Sequence, residues 1–282
     1  MTERISHAVL ITGCSTGIGR ATAERLARGG HTVYATARRP DSIQDLTRHG
    51  CRVLALDVCD ESSMRAAVEA VEKSEGAVGA LVNNAGYGSE GPFEEVPMEE
   101  VRRQFETNVF GLVQLTKLVL PGMRRQRLGR IVNLSSMGGR MTLPGGAFYH
   151  ATKYAVEALS DALRFEVSGF GISVVLIEPG PIKTEFGPTA LEKIRSLGTP
   201  DSPYAKFREV LAHHLDYAGP IGALAGTPEG VAKVIERAIT ARRPRARYPV
   251  TLAARGFMGA RRWLGARGFD AILRTQFPTP GR

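Results

Sequence analysis

A tyrosine and a lysine four positions apart, Tyr149 and Lys153, are the residues whose types and spacing point most directly to chemistry. If they lie on a helix, their side chains share one face, one turn apart. A free phenol has a pKa of about 10 and is a poor base at neutral pH. An ammonium group about 4 Å away stabilises a phenolate by about 4 kcal/mol at an effective dielectric constant of about 20. The pair therefore predicts a general acid–base that exchanges a proton with a substrate oxygen.

A glycine-rich turn near the start of the chain is a candidate site for phosphate. Residues 12–19 lie between an apolar β-like run and a helical pattern, with the spacing Gly-x-x-x-Gly-x-Gly. Such glycines let the backbone turn sharply, and the N–H groups and dipole of the next helix attract a pyrophosphate. The spacing differs from the common Gly-x-Gly-x-x-Gly motif, and a plain turn is the alternative. The residues of this turn that we expect to contact a cofactor are Gly13, Ser15, Thr16, Gly17, Ile18 and Gly19.

The end of the second predicted strand indicates which dinucleotide binds. NAD enzymes usually place Asp or Glu near this position, where the carboxylate binds the ribose 2′-hydroxyl. This chain has Ala37 followed by Arg38 and Arg39. A guanidinium can pair with a 2′-phosphate through two parallel hydrogen bonds, whereas a carboxylate would repel it. The sequence therefore favours NADP over NAD through Arg38, with a solvated strand end as the alternative.

The elements that must position these residues alternate between short apolar strands and longer amphipathic helices. The predicted strands are residues 7–12, 31–36, 52–56, 80–83, 129–134, 172–177 and 246–250. The predicted helices are residues 17–28, 61–73, 98–125, 148–168 and 227–240. Strands that are apolar on both faces and alternate with helices predict an α/β fold with a doubly wound parallel sheet of the Rossmann type, here with seven strands.

The rest of the chain is organised around this sheet. No change in composition divides it, so we predict one domain over residues 1–282. Residues 186–226 combine short helical stretches with Gly-Pro turns, which is typical of a substrate lid.

The net charge of +9 lies entirely in residues 240–282, which hold ten Arg and one Asp. Residues 251–282 are predicted to form a basic helical extension. Its alternatives are packing on the protein itself, on a partner subunit, or on a membrane surface.

Composition excludes several other classes of function. Hydrophobic residues make up 43% of the 282 residues, as in ordinary globular proteins, and no apolar run reaches the roughly 20 residues of a membrane span. Three cysteines without a Cys-x-x-Cys pair, and a start without a signal segment, favour a cytoplasmic location.

The neighbouring His213 and His214 lack a third ligand at metal spacing, so we expect no metal site. Aromatic residues in the basic extension are not spaced for stacking on the bases of a nucleic acid. We therefore expect that the protein does not bind nucleic acid.

Five motifs occur together in an order and spacing typical of one protein family. They are the turn at residues 12–19, Asn-Asn-Ala-Gly at residues 83–86, Asn108, Ser136 with Tyr149-x-x-x-Lys153, and Pro-Gly at residues 179–180 with Thr184. With these motifs, residues 5–185 resemble the short-chain dehydrogenase/reductase family. Within that family the chain looks most similar to the 17β-hydroxysteroid and retinol dehydrogenase-like branch and its bacterial relatives.

The resemblance implies roles in cofactor binding for seven further positions. Asp57 and Val58 would contact the adenine, the first through its side chain and the second through its backbone. Asn84 and the two residues after it would support the adenosine ribose. Ile182 and Thr184 would hold the nicotinamide carboxamide, which fixes the ring face that meets the substrate.

The resemblance also implies a catalytic set. Tyr149 would act as the acid–base with Lys153 beside it, and both would also contact the cofactor. Ser136, 13 residues before Tyr149, would hydrogen-bond the substrate carbonyl, with Ser135 as the competing candidate. Asn108 would anchor, through its backbone carbonyl, a water molecule joined to the lysine.

These expectations combine into one function. We expect an NADP(H)-dependent oxidoreductase that interconverts a hydrophobic ketone or aldehyde and its alcohol. The candidate residues for the apolar pocket wall are Met137, Met141, Leu143, Phe148, Phe186 and Leu191. The alternatives are a non-catalytic NADP-binding redox sensor and a dehydratase or epimerase on the same fold. The family resemblance further implies a homodimer or homotetramer, assembled through the helices at residues 98–125 and 148–168.

Overall fold

A computed structural model describes residues 5–215 and 224–281. Its strands are β1 (Val9–Ile11), β2 (Val33–Ala37), β3 (Arg52–Ala55), β4 (Ala80–Asn83), β5 (Gly129–Leu134), β6 (Ile172–Glu178) and β7 (Arg247–Pro249). They form one parallel sheet in the order β3-β2-β1-β4-β5-β6-β7. Helices cover both faces of this sheet, which confirms the predicted doubly wound Rossmann fold with seven strands.

The α-helices of the described residues lie between successive strands and after the last one, with more than one helix in two of the connections. They are α1 (Gly17–Arg28), α2 (Glu61–Glu75), α3 (Met98–Phe105), α4 (Gly111–Arg125), α5 (Ala147–Val167), α6 (Phe186–Arg195), α7 (Ala205–Leu215), α8 (Pro228–Thr240) and α9 (Leu252–Gln276). The start of α8 has the sequence signature of a helix N-terminus, because the Thr227 hydroxyl accepts a hydrogen bond from the Gly230 N–H and Pro228 is the first helical residue.

Each face of the sheet has its own hydrophobic cluster, because successive strand residues point to opposite sides. In β1, Val9 and Ile11 join the cluster beneath α1 and α8, whereas Leu10 joins the cluster beneath α2 and α4. Leu26 of α1 and Leu115 of α4 are fully buried in these two clusters. Burial on both faces explains why the strands are apolar runs rather than alternating ones.

The strand order places the functional region. The chain builds outward from β1 to β3 in one direction and from β4 to β7 in the other. Loops that follow β1 and β4 therefore diverge at the carboxyl edge of the sheet and leave a crevice between them, which is where ligands bind in such sheets. The glycine turn follows β1, and residues 84–91 follow β4.

The predicted helix over residues 98–125 is interrupted in the structure. A π-helical turn, Glu106–Phe110, separates α3 from α4. The side chain of Asn108 explains this interruption, since it accepts a hydrogen bond from the Tyr87 N–H (3.0 Å) and donates to the Tyr87 carbonyl (2.8 Å) and to the Thr152 hydroxyl (3.1 Å). These long-range bonds fix a residue that has only a modest preference for regular helix.

The predicted lid and the basic extension meet in the structure. Helices α6 and α7 lie in the lid region, whose residues 216–223 are outside the described residues. The predicted extension contains α9, which is broken at Gly265, where φ is 63° and ψ is −171°. Just beyond α9, the Phe277 ring lies 6.2 Å from the Phe207 ring and stacks 4.5 Å from His214, both in α7. The extension thus consists of two helical segments, and its end packs on the lid region.

None of the helices within the described residues combines the length and the apolar composition that crossing a membrane requires. Helix α9 instead carries apolar side chains among its arginines. Leu252 is 83% exposed and Trp263 is 86% exposed, whereas Phe269 is buried. The extension therefore presents apolar side chains both to the protein and to solvent.

Candidate functional site

A cavity of about 1240 Å³ opens at the carboxyl edge of the sheet. A pocket for one small ligand usually measures about 300–1,000 Å³, so this cavity has room for two molecules side by side. It is lined by residues that the sequence selected: Gly13, Ser15, Thr16, Gly17, Ile18, Arg38, Asp57, Val58, Asn84, Ser136, Tyr149, Lys153, Ile182 and Thr184. Two other selected residues, Gly19 and Asn108, are buried behind the lining.

The glycine turn forms a cradle that larger residues would fill. Gly13 and Gly17 have φ angles of 72° and 58°, a left-handed region that favours glycine. A Cβ on Gly19 would lie 2.2 Å from the Gly13 carbonyl oxygen and 2.4 Å from the Asn84 Nδ2 atom. Thr16 precedes α1 without a side-chain cap, so N–H groups of the first helical turn remain available. This arrangement fits the phosphates of a dinucleotide.

The loop after β4 is tied to the glycine turn by four hydrogen bonds. Asn84 Nδ2 donates to the carbonyl oxygens of Thr12 (2.8 Å) and Gly13 (3.0 Å). The Thr12 hydroxyl accepts from the backbone N–H groups of Asn84 (3.0 Å) and Ala85 (2.9 Å). The Asn84 side chain therefore holds the turn in place from behind rather than pointing freely into the cavity.

The remaining cofactor candidates lie around the same cavity. Arg38, just after β2, is exposed and makes no ion pair with any residue that the structure describes. The Asp57 carboxylate accepts a hydrogen bond from the Cys59 N–H (2.9 Å), so it caps a local turn. Ile182 is buried, and the Thr184 methyl group would lie 3.2 Å from a Cβ on Gly17. Thr184 thus faces the glycine turn from the opposite wall.

Tyr149 and Lys153 lie one turn apart at the start of α5. The Lys153 Nζ atom is 5.8 Å from the centre of the Tyr149 ring and donates a hydrogen bond to the Leu134 carbonyl (2.8 Å). Lys153 is only 7% exposed. Burial lowers the pKa of the Lys153 ammonium to about 8, an effect that the nearby Glu157 charge opposes. The ammonium form therefore still predominates at neutral pH, which keeps a positive charge beside the tyrosine.

The two neighbouring serines after β5 have different environments. Ser136 is half-buried, lines the cavity, and its hydroxyl accepts a hydrogen bond from the Gly138 N–H (3.0 Å). The Ser135 hydroxyl is buried close to Gly139, where a Cβ would lie only 2.7 Å away. Of the two hydroxyl groups, Ser136 has the more accessible position for a ligand.

Asn108 lies behind the cavity and is 2% exposed. Its side chain joins the loop after β4, through Tyr87, to helix α5, through Thr152. A Cβ on Gly86 would lie 3.0 Å from the Asn108 Oδ1 atom. The contacts of this side chain therefore position two walls of the site relative to each other.

One wall of the cavity was missed by the sequence reasoning. The C-terminal segment lines it with Phe257, Phe269, Ile272, Leu273 and Phe277. These residues carry no motif, and their alternation with arginines predicted a basic helical extension whose packing partner stayed open between the protein itself, a partner subunit and a membrane surface. The spacing of Phe269, Ile272 and Leu273, at positions i, i+3 and i+4, was the available signal for a buried face. A second missed residue is Glu90, a buried carboxyl group that also lines the cavity.

Known proteins resemble this chain over most of its length. The family model for short chain dehydrogenases matches residues 7–194. The uncharacterized oxidoreductase YbbO of Escherichia coli (strain K12) is 38% identical over 270 residues, which cover 95% of this chain and 94% of YbbO. An NADPH-dependent 3-dehydrocapnine reductase of Ornithobacterium rhinotracheale is 36% identical over 275 residues, which cover 94% of this chain and 95% of the reductase. The crystal structure of a short-chain dehydrogenase from Streptomyces avermitilis superposes with a TM-score of 0.77 at 33% identity, with 95% of each chain covered.

Replacing Gly19 by alanine is expected to weaken dinucleotide binding by about 5–150-fold and to lower the melting temperature. The new Cβ would overlap the Gly13 carbonyl and the Asn84 amide, and such overpacking costs about 1–3 kcal/mol. Titration of intrinsic fluorescence with NADPH and thermal denaturation measure the two effects. Gly256→Ala is the control, because nothing lies within 4 Å of its new Cβ. Unchanged affinity in Gly19→Ala would contradict the cradle.

Proposed function

The chain belongs to the short-chain dehydrogenase/reductase family of oxidoreductases, and from that premise we propose that it interconverts a hydrophobic ketone or aldehyde and its alcohol with NADP(H). The observation that carries this proposal is the cavity that joins the glycine cradle to Tyr149 and the buried Lys153. A dinucleotide site and an acid–base group in one cavity are what a carbonyl reductase needs.

The chain's own residues supply proton transfer and orientation. When bound, the nicotinamide supplies hydride to the carbonyl carbon or accepts it from the alcohol. The Tyr149 hydroxyl gives its proton to the carbonyl oxygen during reduction and regains one afterwards. The Lys153 ammonium favours the phenolate by its charge. The Ser136 hydroxyl donates a hydrogen bond to the same substrate oxygen, which aligns the carbonyl with Tyr149.

The cofactor preference in this proposal rests on Arg38. Its guanidinium lies at the cavity wall, is exposed, and has no ion-pair partner among the residues described. Such a group can accommodate the ribose 2′-phosphate of NADP. The name of the 3-dehydrocapnine reductase, which states NADPH dependence, supports the same preference.

The substrate preference rests on the apolar part of the cavity lining. This wall combines residues from the loop before α5, the lid region and α9, namely Met141, Leu143, Phe186, Leu224, Phe257, Phe269 and Ile272. The Phe186 ring lies 5.1 Å from the Tyr149 ring, so a substrate that reaches the tyrosine contacts an apolar surface. We therefore propose a hydrophobic substrate and retain residues 186–226 as its lid.

The complete acid–base set favours this function over a redox sensor, which needs no buried lysine beside a tyrosine. The apolar side chains in the cavity lining favour simple carbonyl reduction over a dehydratase or epimerase. Oxidation of NADPH in the presence of a panel of apolar ketones separates these alternatives.

We further propose a cytoplasmic homodimer or homotetramer. Exposed apolar side chains occur on the π turn and on α5, the helical region that the family is expected to use for assembly; they are Phe110, Tyr154, Leu159 and Phe165. The three cysteines are free, two of them buried, which suits a reducing compartment.

The exposed face of α9 suggests an additional contact with an anionic membrane surface. Trp263 and Leu264 are exposed beside Arg261 and Arg262 in the first segment of α9, and Arg267 follows the break at Gly265. Apolar side chains that insert among headgroups, together with a positive charge, give such peripheral binding.

Replacing Tyr149 by phenylalanine is expected to reduce ketone-dependent NADPH oxidation by about 10²–10⁴-fold, because no hydroxyl remains to protonate the substrate oxygen. NADPH affinity should stay unchanged. The control is Tyr154→Phe, which alters an exposed tyrosine of the same helix. Retained turnover in Tyr149→Phe would refute the acid–base role.

Replacing Arg38 by aspartate is expected to shift cofactor preference toward NADH by about 10–100-fold, the worth of a charged hydrogen bond. The ratio of kcat/KM for NADPH and NADH measures the shift. Arg39→Asp is the matched control, since Arg39 is exposed but does not line the cavity. Equal ratios in Arg38→Asp and the wild type would rule out the assignment.

Replacing Trp263 and Leu264 together by serine is expected to abolish sedimentation of the full-length protein with phosphatidylglycerol vesicles at low salt. The wild type should bind these vesicles and not phosphatidylcholine vesicles. Ile5→Ser serves as the control, because Ile5 is also an exposed apolar side chain but lies outside α9 and α5. Identical partitioning of all three proteins would remove the membrane contact.

A further inference from the structure

Glu90 is a buried acid in the cavity wall that the proposed chemistry leaves without a role. It lies in the loop between β4 and α3, and its side chain is 9% exposed. It makes no hydrogen bond or ion pair with the residues described in the structure, 5–215 and 224–281. A buried carboxyl group normally has such partners, because burying it unpaired is costly.

The loop that carries Glu90 runs beside the catalytic tyrosine. A Cβ on Gly88 would lie 2.2 Å from the Phe186 ring, and that ring lies 5.1 Å from the Tyr149 ring. Two residues of extended chain span about 7 Å at most, so the Glu90 Cα lies within about that distance of Gly88, which itself contacts Phe186.

A second set of contacts places the other side of the same loop. The Gly91 N–H donates to the Gly145 carbonyl (2.8 Å), just before α5 begins. The Phe93 ring lies 4.8 Å from the ring of Phe148, the residue before Tyr149. Glu90 is therefore held between two segments that both contact the start of α5, in the substrate half of the cavity.

Neighbouring acids differ from Glu90 because the protein supplies their partners. Glu94 accepts from the Tyr204 hydroxyl (2.7 Å), and Glu95 pairs with Arg208 (2.6 Å). Glu100 pairs with Lys193 and Arg103. Glu90 has none of these, and burial raises the pKa of its carboxyl to about 7. A cation brought by a ligand would favour the ionised carboxylate and satisfy it.

We infer that Glu90 binds an ammonium group of the substrate, so that the preferred substrate is an apolar amino ketone. The amine pairs with Glu90 while the carbonyl oxygen meets Tyr149 and Ser136, and the alkyl chain lies along the apolar wall. This inference rests on the proposed carbonyl reduction for its ketone, but the amine site itself can be tested without turnover.

The first measurement is equilibrium binding, with NADPH present so that neither ligand can react. Decylamine and 1-decanol have the same chain and differ in the charged group. The wild type is expected to bind decylamine about 10–100-fold more tightly than 1-decanol in calorimetric titration, the range of a charged hydrogen bond. Glu90→Gln keeps the shape of the side chain and is expected to abolish this difference. Glu94→Gln, an exposed acid of the same loop, should retain it.

The second measurement is turnover of 2-aminododecan-3-one and dodecan-3-one. The wild type is expected to have a higher kcat/KM for the amino ketone by a similar factor, mainly through KM. Glu90→Gln should equalise the two substrates by losing the amino ketone preference while its activity on dodecan-3-one is retained. NADPH affinity and melting temperature of Glu90→Gln establish that it is folded.

The outcomes separate this inference from the proposed function. If neither ketone is reduced but decylamine binding depends on Glu90, the amine site stands and carbonyl reduction fails. If both ketones are reduced but no amine preference exists, or the preference survives in Glu90→Gln, carbonyl reduction stands and the amine site is overturned.

Discussion

The site depends on the position of helix α5 relative to strand β5, which buried hydrogen bonds determine. Two consecutive residues of the strand bind the helix: Asn133 Nδ2 donates to the Ser160 hydroxyl (2.8 Å), and the Leu134 carbonyl accepts from Lys153 Nζ (2.8 Å). Asn133 is itself held by Asn83 of β4 (2.9 Å). Because a buried polar group that loses its partner costs about 1–3 kcal/mol, the helix cannot slide or rotate without breaking several such bonds. Because Tyr149 lies on the same helix, these hydrogen bonds also fix the position of its backbone.

The same helix carries the charge balance of the site. Burial of Lys153 lowers its pKa to about 8, and the negative charge of Glu157, one turn further along α5, opposes that effect. Glu157 is in turn bound by Arg247 of β7 at 3.0 Å, and Arg247 also approaches Glu178 of β6 (3.3 Å). The last strand of the sheet thus contributes to the electrostatics beside the tyrosine, although it lies far from the motifs in sequence. Part of the basic charge of the C-terminal region is used inside the fold.

The sequence predicted the parts of the structure that local patterns determine. Periodicity and residue type predict the strands, the glycine turn and the one-turn spacing of Tyr149 and Lys153. In the structure the glycine turn, Tyr149 and Lys153 line one cavity. The π turn at Asn108 was not predictable, because it depends on hydrogen bonds to residues 21 and 44 positions away. The partnerless state of Glu90 was hidden for the same reason: a glutamate between Ser89 and Gly91 looks like a loop residue until the surrounding segments bury it.

The two halves of the cavity are built under different constraints. In the dinucleotide half the backbone itself forms the wall, so an added methyl group at Gly13 or Gly19 meets atoms at 3.0 Å or less, and few residue types are compatible. In the other half the wall consists of side chains from the lid region and α9, such as Phe186 and Phe269, whose sizes can change without moving the sheet. The recognisable motifs therefore lie in the half whose shape is constrained by the backbone, and the segments without motifs line the half whose shape is set by side chains. Among the apolar side chains of this half, Glu90 is a buried carboxyl group without a protein partner among the described residues, and a group of that kind can orient a ligand where apolar contacts alone give little orientation.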